Sequence, residues 1–166
     1  GALISSGSVL TFNQPSSFSG NVVNASGGGL AMAGAIAIAI KAPSTNLNST
    51  AIFNAPATFI NNSVTNTASS GNNAYGGALA LPLEANVMLV NPQFLNNQVN
   101  APNSTAQGGA IFLDNSAVTI TATDPSTPVL FQGNRVSDAL GIRYEAIYLS
   151  AADLRAFLNQ PQAAVG

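Results

Sequence analysis

Short hydrophobic segments alternate with polar segments rich in Asn, Ser and Thr along the chain, and two hydrophobic signatures recur in phase. The first signature is Phe-x-x-Asn, and the second is Gly-Gly-Ala followed by Ile or Leu. Successive copies of the first signature are 41, 35 and 37 residues apart, and each is followed by a complete or degenerate copy of the second. The motif positions are Phe18 and Asn21, Phe59 and Asn62, Phe94 and Asn97, Phe131 and Asn134, with complete second copies at Gly76-Gly77-Ala78 and Gly108-Gly109-Ala110.

Self-similarity at a nearly fixed period is typical of stacked repeat architectures. Each unit of about 37 residues holds three short runs with β-branched residues, period-2 alternation and Pro, Asn or Gly at their ends, which favours strands over helices. The sequence therefore predicts an all-β fold, a parallel β-helix of about four coils with three short strands each. The repeats are placed at 9–27, 28–70, 71–107 and 108–143, with a partial one at 144–149, in a single segment 1–166 of a larger protein.

The motif residues have structural interpretations in such a stack. Phe and Asn three positions apart point to opposite faces of a straight strand, so both are buried only if the chain bends between them. We expect one core column of Phe side chains and a second column of Asn side chains that bond turn backbone and each other. The glycine pairs are expected to supply backbone angles that other residues disfavour.

The polar stretches between the two signatures, such as 63–75 and 98–107, are interpreted as loops that leave one corner of each coil. The segment 150–158 has two interpretations that the sequence does not separate. Leu154, Phe157 and Leu158 have helical spacing behind a weak capping box at Ser150 and Asp153, which favours a short C-terminal helix that caps the stack within 150–166. A further irregular strand is the alternative.

The strand that follows Gly-Gly-Ala has two bulky aliphatic columns that must share the inward face, since side chains alternate between faces. Its other columns would then point outward, and they are mostly alanine. A flat apolar outer face usually marks contact with something. We expect it to pack on a neighbouring subunit, another domain of the parent protein or the chain's own long loops, with Phe112 and Tyr148 as anchors. The predicted interface comprises Ala78, Ala80, Ala110, Phe112, Ala146 and Tyr148.

Charge is scarce. Only 6% of the 166 residues are charged and the formal net charge is −2, against roughly 25% charged residues in an average soluble domain. A nucleic-acid partner and an anionic membrane surface are therefore not expected. The longest apolar run, 30–40, has eleven residues, whereas a membrane-spanning helix needs about 20, so no membrane insertion by this segment is expected.

Catalytic chemistry has few candidates. Cysteine and histidine are absent, which excludes thiolate metal sites and histidine-based catalysis. Among the six carboxylates, Glu84, Asp114 and Asp124 do not fall at equivalent repeat positions. The charged residues near the C terminus are interpreted as ion pairs that finish the stack rather than as a catalytic set: Asp138, Arg143, Glu145, Asp153 and Arg155. We expect no catalytic residues, no metal site and no cofactor.

Phe-x-x-Asn in phase with Gly-Gly-Ala-(Ile/Leu) resembles the repeat of the chlamydial polymorphic outer membrane proteins, which are autotransporter passenger domains, and of related bacterial and algal extracellular proteins. The resemblance covers about residues 9–149. It implies that the β-helix is right-handed, that the chain is displayed at the cell surface or secreted as part of an appendage, and that both motifs serve adhesion. The chain departs from the pattern at its first and last second-signature copies, which read Ala-Gly-Ala and Tyr-Glu-Ala.

These observations predict a non-enzymatic extracellular structural or adhesive protein that acts by packing of its outer faces against protein partners, such as a neighbouring subunit, a domain of the same assembly or a surface receptor, or against glycans. The alternative is a polysaccharide-binding or polysaccharide-cleaving β-helix of pectate-lyase type. Clustered aromatic or carboxylate residues on one outward face would favour that alternative. Four N-x-Ser/Thr sequons mark N-glycan sites if the source is eukaryotic: Asn24, Asn48, Asn61 and Asn103.

Overall fold

The computed structural model describes residues 3–38, 49–68, 72–82, 84–150 and 153–157, and every regular element in these ranges is a β-strand. In chain order the strands are β1 (Leu3–Ser5), β2 (Val9–Phe12), β3 (Ser16–Ser19), β4 (Val22–Ala25), β5 (Ala31–Met32), β6 (Ile36–Ile38), β7 (Thr50–Ile60), β8 (Ser63–Asn66), β9 (Ala74–Tyr75), β10 (Leu79–Pro82), β11 (Asn86–Leu95), β12 (Gln98–Ala101), β13 (Ala106–Gln107), β14 (Ile111–Asp114), β15 (Ala117–Thr121), β16 (Leu130–Gln132), β17 (Arg135–Asp138), β18 (Gly141–Tyr144), β19 (Ile147–Ser150) and β20 (Asp153–Phe157).

Mostly parallel pairing joins these strands into four sheets, here designated A to D. Sheet A has the order β1-β6-β10-β14-β19, and sheet D has the order β5-β9-β13. Sheet B has the order β2-β7-β11-β15-β20, with β3 on β7 and β16 on β11, and sheet C has the order β4-β8-β12-β17-β18. The chain visits the sheets in turn, so neighbouring strands within a sheet come from successive sequence repeats.

The prediction of a single right-handed parallel β-helix with about four coils of three short strands is wrong, because the strands are divided among four separate sheets. Stretches 63–75 and 98–107, interpreted as loops, each contain two short strands of sheets C and D. The physical reason is a second core in which Val64 and Val99 pack with Ala74 and Ala106. One valine and two alanines within each polar stretch are too weak a hydrophobic pattern to indicate a strand.

The capping helix is also wrong, because Asp153–Phe157 form strand β20, which pairs parallel with β15. The edge of β15 offers unpaired backbone groups to the chain that follows it. Pairing with this edge satisfies those groups, whereas a helix of so few residues has little stability of its own. Residues 151, 152 and 158–166, which the prediction also included, lie outside the described residues.

The register of the sheets superimposes the repeats. Phe59 pairs with Phe18 on one side and with Phe94 on the other, and Phe94 pairs with Phe131. Their rings form a continuous stack with centroids 5.1, 4.7 and 4.9 Å apart. Together with the aliphatic residues of sheets A and B, these rings form the main core of the molecule.

The predicted outward orientation of Ala78 and Ala110 is wrong, because both belong to the main core and are fully buried. Straight alternation fails at the start of strand β10. The backbone N–H groups of Ala78 and Leu79 donate to one and the same carbonyl oxygen, that of Ala110. Two successive residues therefore pair with one residue of the next strand, as in a bulge, and both side chains face inward.

Candidate functional site

The four motif asparagines lie in one column, and their side-chain amides form a continuous hydrogen-bonded chain. Asn62 Nδ2 donates to Oδ1 of Asn97 at 2.9 Å and to the carbonyl oxygen of Phe18 at 2.9 Å. Oδ1 of Asn97 also accepts the backbone N–H of Asn62 at 3.0 Å. Equivalent contacts join Asn97 to Asn134 and to the Phe59 carbonyl. An asparagine that uses both donors and both lone pairs is satisfied within the protein, so this column holds the chain together rather than facing a ligand.

The residue before each motif asparagine carries a structural role that the sequence interpretation missed. Gly20, Asn61, Asn96 and Gly133 all have left-handed backbone angles, with φ between 53° and 66°. Glycine adopts this conformation without strain, and asparagine is the commonest other residue there. The signal was present in the sequence, since this position is Gly or Asn in every copy, and the motif is better written Phe-x-(Gly/Asn)-Asn.

The two glycines of the second signature have different roles. Gly76 and Gly108 adopt left-handed angles, with φ of 65° and 68°. Gly77 is required for a different reason, because a Cβ there would collide with the carbonyl oxygen of Gly109 in the next repeat. Both roles concern backbone packing, and these glycines do not contribute to a ligand site.

The carboxylates near the C terminus hold backbone and ion-pair contacts. Asp138 forms a bidentate pair with Arg143 at 2.7 and 2.9 Å and accepts the backbone N–H of Leu140 at 2.9 Å. Hydrogen bonds from Arg143 lower the pKa of the Asp138 carboxyl to about 2, in spite of burial, which acts to raise it. Glu145 accepts the backbone N–H of Gly108 at 2.8 Å. The Asp138 contacts hold the β17–β18 hairpin together, and the Glu145 contact ties the last repeat to the one before it.

The Asp138 pair gives a pH-dependent contribution to stability. A carboxyl whose pKa falls from 3.8 to about 2 on folding stabilises the folded state above pH ~4, and this contribution is lost as the pH falls toward 2. At 1.36 kcal/mol per unit, the contribution is about 2 kcal/mol. We expect Asp138→Asn to be less stable than the parent in urea unfolding at pH 6 and nearly equal to it at pH 2. A stability difference that is the same at both pH values would contradict this assignment, and Glu84→Gln, at an exposed carboxylate, is the control.

A surface depression formed by described residues lies between sheet D and the outer face of sheet A, with a volume of about 420 Å³. This aromatic groove is lined by Leu30, Met32, Tyr75, Pro82, Gln107, Phe112, Asp114, Tyr148 and Ser150. Small-molecule sites have volumes of roughly 300–1,000 Å³ and combine apolar walls with a few polar groups. Its size and composition therefore make the aromatic groove the candidate functional site.

A column of parallel rings forms one wall of the aromatic groove. The rings of Tyr75 and Phe112 are stacked with centroids 4.2 Å apart and an interplanar angle of 9°, and Phe112 and Tyr148 are 5.7 Å apart at 1°. The column exists because bulky and small residues complement one another between the two sheets. In the repeat of Tyr75, sheet A has the small residue Ala80 at this register position. In the next two repeats the same position is occupied by Phe112 and Tyr148, whose rings continue the column.

Four of the predicted interface residues are covered by the chain itself. Ala78, Ala80 and Ala110 are fully buried and Phe112 is only 5% exposed. Ala146 and Tyr148 are partly exposed. Ala80 lies in a small cluster with Ala33, and Met32 packs against this cluster. Sheet D and its flanking residues therefore cover much of the face that the sequence predicted to be an interface. A lysine at Ala80 or Ala110 would be buried, and it would disrupt the fold rather than block an association.

Three of the four sequons lie in described regions, and each of these asparagines is exposed. Asn24 is on the outer face of strand β4, and Asn103 lies in the turn after β12, where its Nδ2 donates to the Ala68 carbonyl at 3.3 Å. Asn61 occupies the left-handed position beside the buried asparagine column. Asn48 lies outside the described residues.

In the ranges that the structure describes, no three His, Cys, Asp or Glu side chains are placed so that they could share a metal ion. The same ranges contain no helix of the length and hydrophobicity that a membrane crossing requires.

Comparison with known proteins adds no relative to these observations. No family model, curated protein or solved structure matches the chain. The resemblance to the polymorphic outer membrane protein repeat remains a prediction from the motif residues.

Proposed function

We propose that this chain is a non-enzymatic extracellular module, structural or adhesive, that works through its outer surface. The observation that carries the proposal is the engagement of three of its six carboxylates in structural contacts. Asp138 is held by Arg143, Glu145 by the backbone of Gly108, and Asp124 by Ser126 in its own turn, with Oδ1 to Oγ at 2.7 Å. Carboxylates that hold structure in this way are poorly placed to act as acids or bases on a substrate.

The cleaving alternative needs more than the aromatic groove provides. Glycosidic hydrolysis commonly uses two carboxyl groups that flank the scissile bond, about 5–10 Å apart. Asp114 is the one carboxylate among the described residues that line the groove. The aromatic column, in contrast, favours the binding form of the alternative, because aromatic rings clustered on an outward face offer contact area rather than chemistry.

The proposal predicts that the purified chain does not degrade common polyuronides or glucans, with or without Ca²⁺. The measurement is chromatography of the polysaccharide after prolonged incubation. As control variants, Asp138→Asn and Glu145→Gln remove the two structurally engaged carboxylates near the C terminus. Product formation by the parent that disappears in either variant would overturn the non-enzymatic assignment.

A further inference from the structure

We propose that the aromatic groove binds a neutral saccharide, with Tyr148 and Tyr75 against the sugar rings and Gln107, Asp114 and Ser150 toward their hydroxyls. This inference rests on the proposed function, since it names the ligand class through which an adhesive module would act. It assigns the two partly exposed ends of the aromatic column, Tyr75 and Tyr148, to ligand contact and its buried centre, Phe112, to support.

The ring column presents the surface that a pyranose prefers. One face of a pyranose carries C–H groups with slight positive charge, and an aromatic face carries negative charge from its π electrons. Tyr148 lies on β19, the last strand of sheet A, so one face of its ring is not stacked on another ring in the described part of the chain. That face is where we place the first sugar.

The rings are held in position before any ligand arrives. Phe112 is 5% exposed and lies between Tyr75 and Tyr148, with both stacked on it. The hydroxyl of Tyr75 accepts a hydrogen bond from Asn73 Nδ2 at 2.6 Å. Preorganised side chains lose little conformational entropy on binding, which leaves more of the contact energy as affinity.

The polar side chains at the rim of the aromatic groove have unused hydrogen-bond donors and acceptors. The side chains of Gln107, Asp114 and Tyr148 form no hydrogen bond with one another or with the rest of the described chain. An amide, a carboxylate and a phenol together offer donors and acceptors, which match the mixed character of sugar hydroxyls.

The charge of the rim selects against acidic sugars. Among the described residues that line the aromatic groove there is no Lys or Arg, and the one charged residue is Asp114. A uronate would meet the Asp114 carboxylate with no cation among the described lining residues to compensate, and like charges repel. A protein partner fits less well, because a standard interface buries about 800 Å² on each side, whereas this groove has the size of a small-molecule site.

The experiment uses intrinsic tyrosine fluorescence of the full chain, which has no tryptophan and three tyrosines, two of them in the aromatic groove. The probes are cellohexaose, mannohexaose and xylohexaose as neutral ligands and hexagalacturonate as the acidic one. We expect a saturable change with at least one neutral hexaose and at least tenfold weaker binding of hexagalacturonate. Equal or tighter binding of hexagalacturonate, or no saturable change with any neutral hexaose, overturns the proposal.

Variants locate the site. Tyr148→Ala should weaken binding of the neutral hexaose at least tenfold, whereas Tyr148→Phe should keep most of it and show that the ring is responsible. Tyr144→Ala is the matched control, because Tyr144 is 85% exposed on β18 outside the groove. Circular dichroism of each variant verifies folding, and Asp114→Asn tests the rim without removing a ring. Equal loss in Tyr144→Ala overturns the assignment, as does self-association of the parent in sedimentation that Tyr148→Ala abolishes.

The outcomes separate this inference from the proposed function. Cleavage of a hexaose during the titration would refute the non-enzymatic module while leaving the saccharide site in place. Absence of binding without cleavage would refute the saccharide site and leave the non-enzymatic module in place.

Discussion

Replacing Phe94 with alanine is expected to lower the free energy of unfolding by about 3–5 kcal/mol. Phe94 has no solvent exposure, and its ring lies between those of Phe59 and Phe131, at 4.7 and 4.9 Å with interplanar angles of 5° and 12°. Alanine removes both stacking contacts and leaves a cavity in the main core. The surrounding strands are fixed by hydrogen bonds to their neighbours, so little collapse into the cavity is available.

Thermal and urea unfolding followed by circular dichroism measure this effect. Phe131→Ala is the matched control, because Phe131 has the same motif position and only one described ring neighbour in the stack, and it is partly exposed. Replacing Phe131 with alanine should lower the free energy of unfolding clearly less than replacing Phe94 does. If Phe94→Ala melts within a degree or two of the parent, the phenylalanine stack contributes little to stability and the account of the main core fails.

Replacing Asn97 with aspartate is expected to lower the free energy of unfolding at least as much as Phe94→Ala does, by roughly 3–5 kcal/mol at neutral pH. The substitution keeps the shape and the acceptor oxygen that receives both Asn62 donors. It replaces Nδ2 with a second oxygen, which then faces two acceptors, the Phe59 carbonyl and Oδ1 of Asn134, each 2.9 Å from the native nitrogen. Two hydrogen bonds become repulsive contacts, and a charge is buried.

The cost of Asn97→Asp should fall at acidic pH. Burial among acceptors raises the pKa of the new carboxyl in the folded state above its unfolded value. The penalty is therefore full above the folded-state pKa and shrinks as the pH falls below it. Urea unfolding at pH 7 and pH 3 is the measurement. Asn21→Asp is the control at the partly exposed end of the column, where Nδ2 has one hydrogen-bond partner among the described residues, Asn62 Oδ1. Equal costs for both substitutions would contradict the burial argument.

The sequence predicts those features that depend on the repeat alone. Equal spacing of Phe59, Phe94 and Phe131 from their motif asparagines is enough to place like residues beside one another, because stacked parallel strands repeat their register. The division into four sheets is not predictable in the same way. Strand β9 consists of Ala74 and Tyr75 only, and two residues carry no periodicity.

The aromatic groove was only partly predictable, for a reason that lies in packing between distant segments. Phe112 and Tyr148 fall in one column of sheet A by register, and the sequence identifies them as anchors. Tyr75 joins them from sheet D, in the repeat whose residue at this register position of sheet A is the small Ala80. Complementarity of large and small residues between two sheets leaves no trace in the periodicity of either segment.

The asparagine column has one further consequence, which concerns its direction. From Asn21 to Asn134, each Nδ2 donates to the Oδ1 of the next asparagine in the column, so the amide dipoles point the same way along the stack. Hydrogen bonds aligned in series polarise one another. Turning one internal amide end for end would set oxygen against oxygen on one side and NH₂ against NH₂ on the other. Turning all the amides together would set each internal Oδ1 against a Phe carbonyl and each NH₂ against a backbone N–H. The direction of the column is therefore fixed, and the core has a built-in polarity from its first repeat to its last.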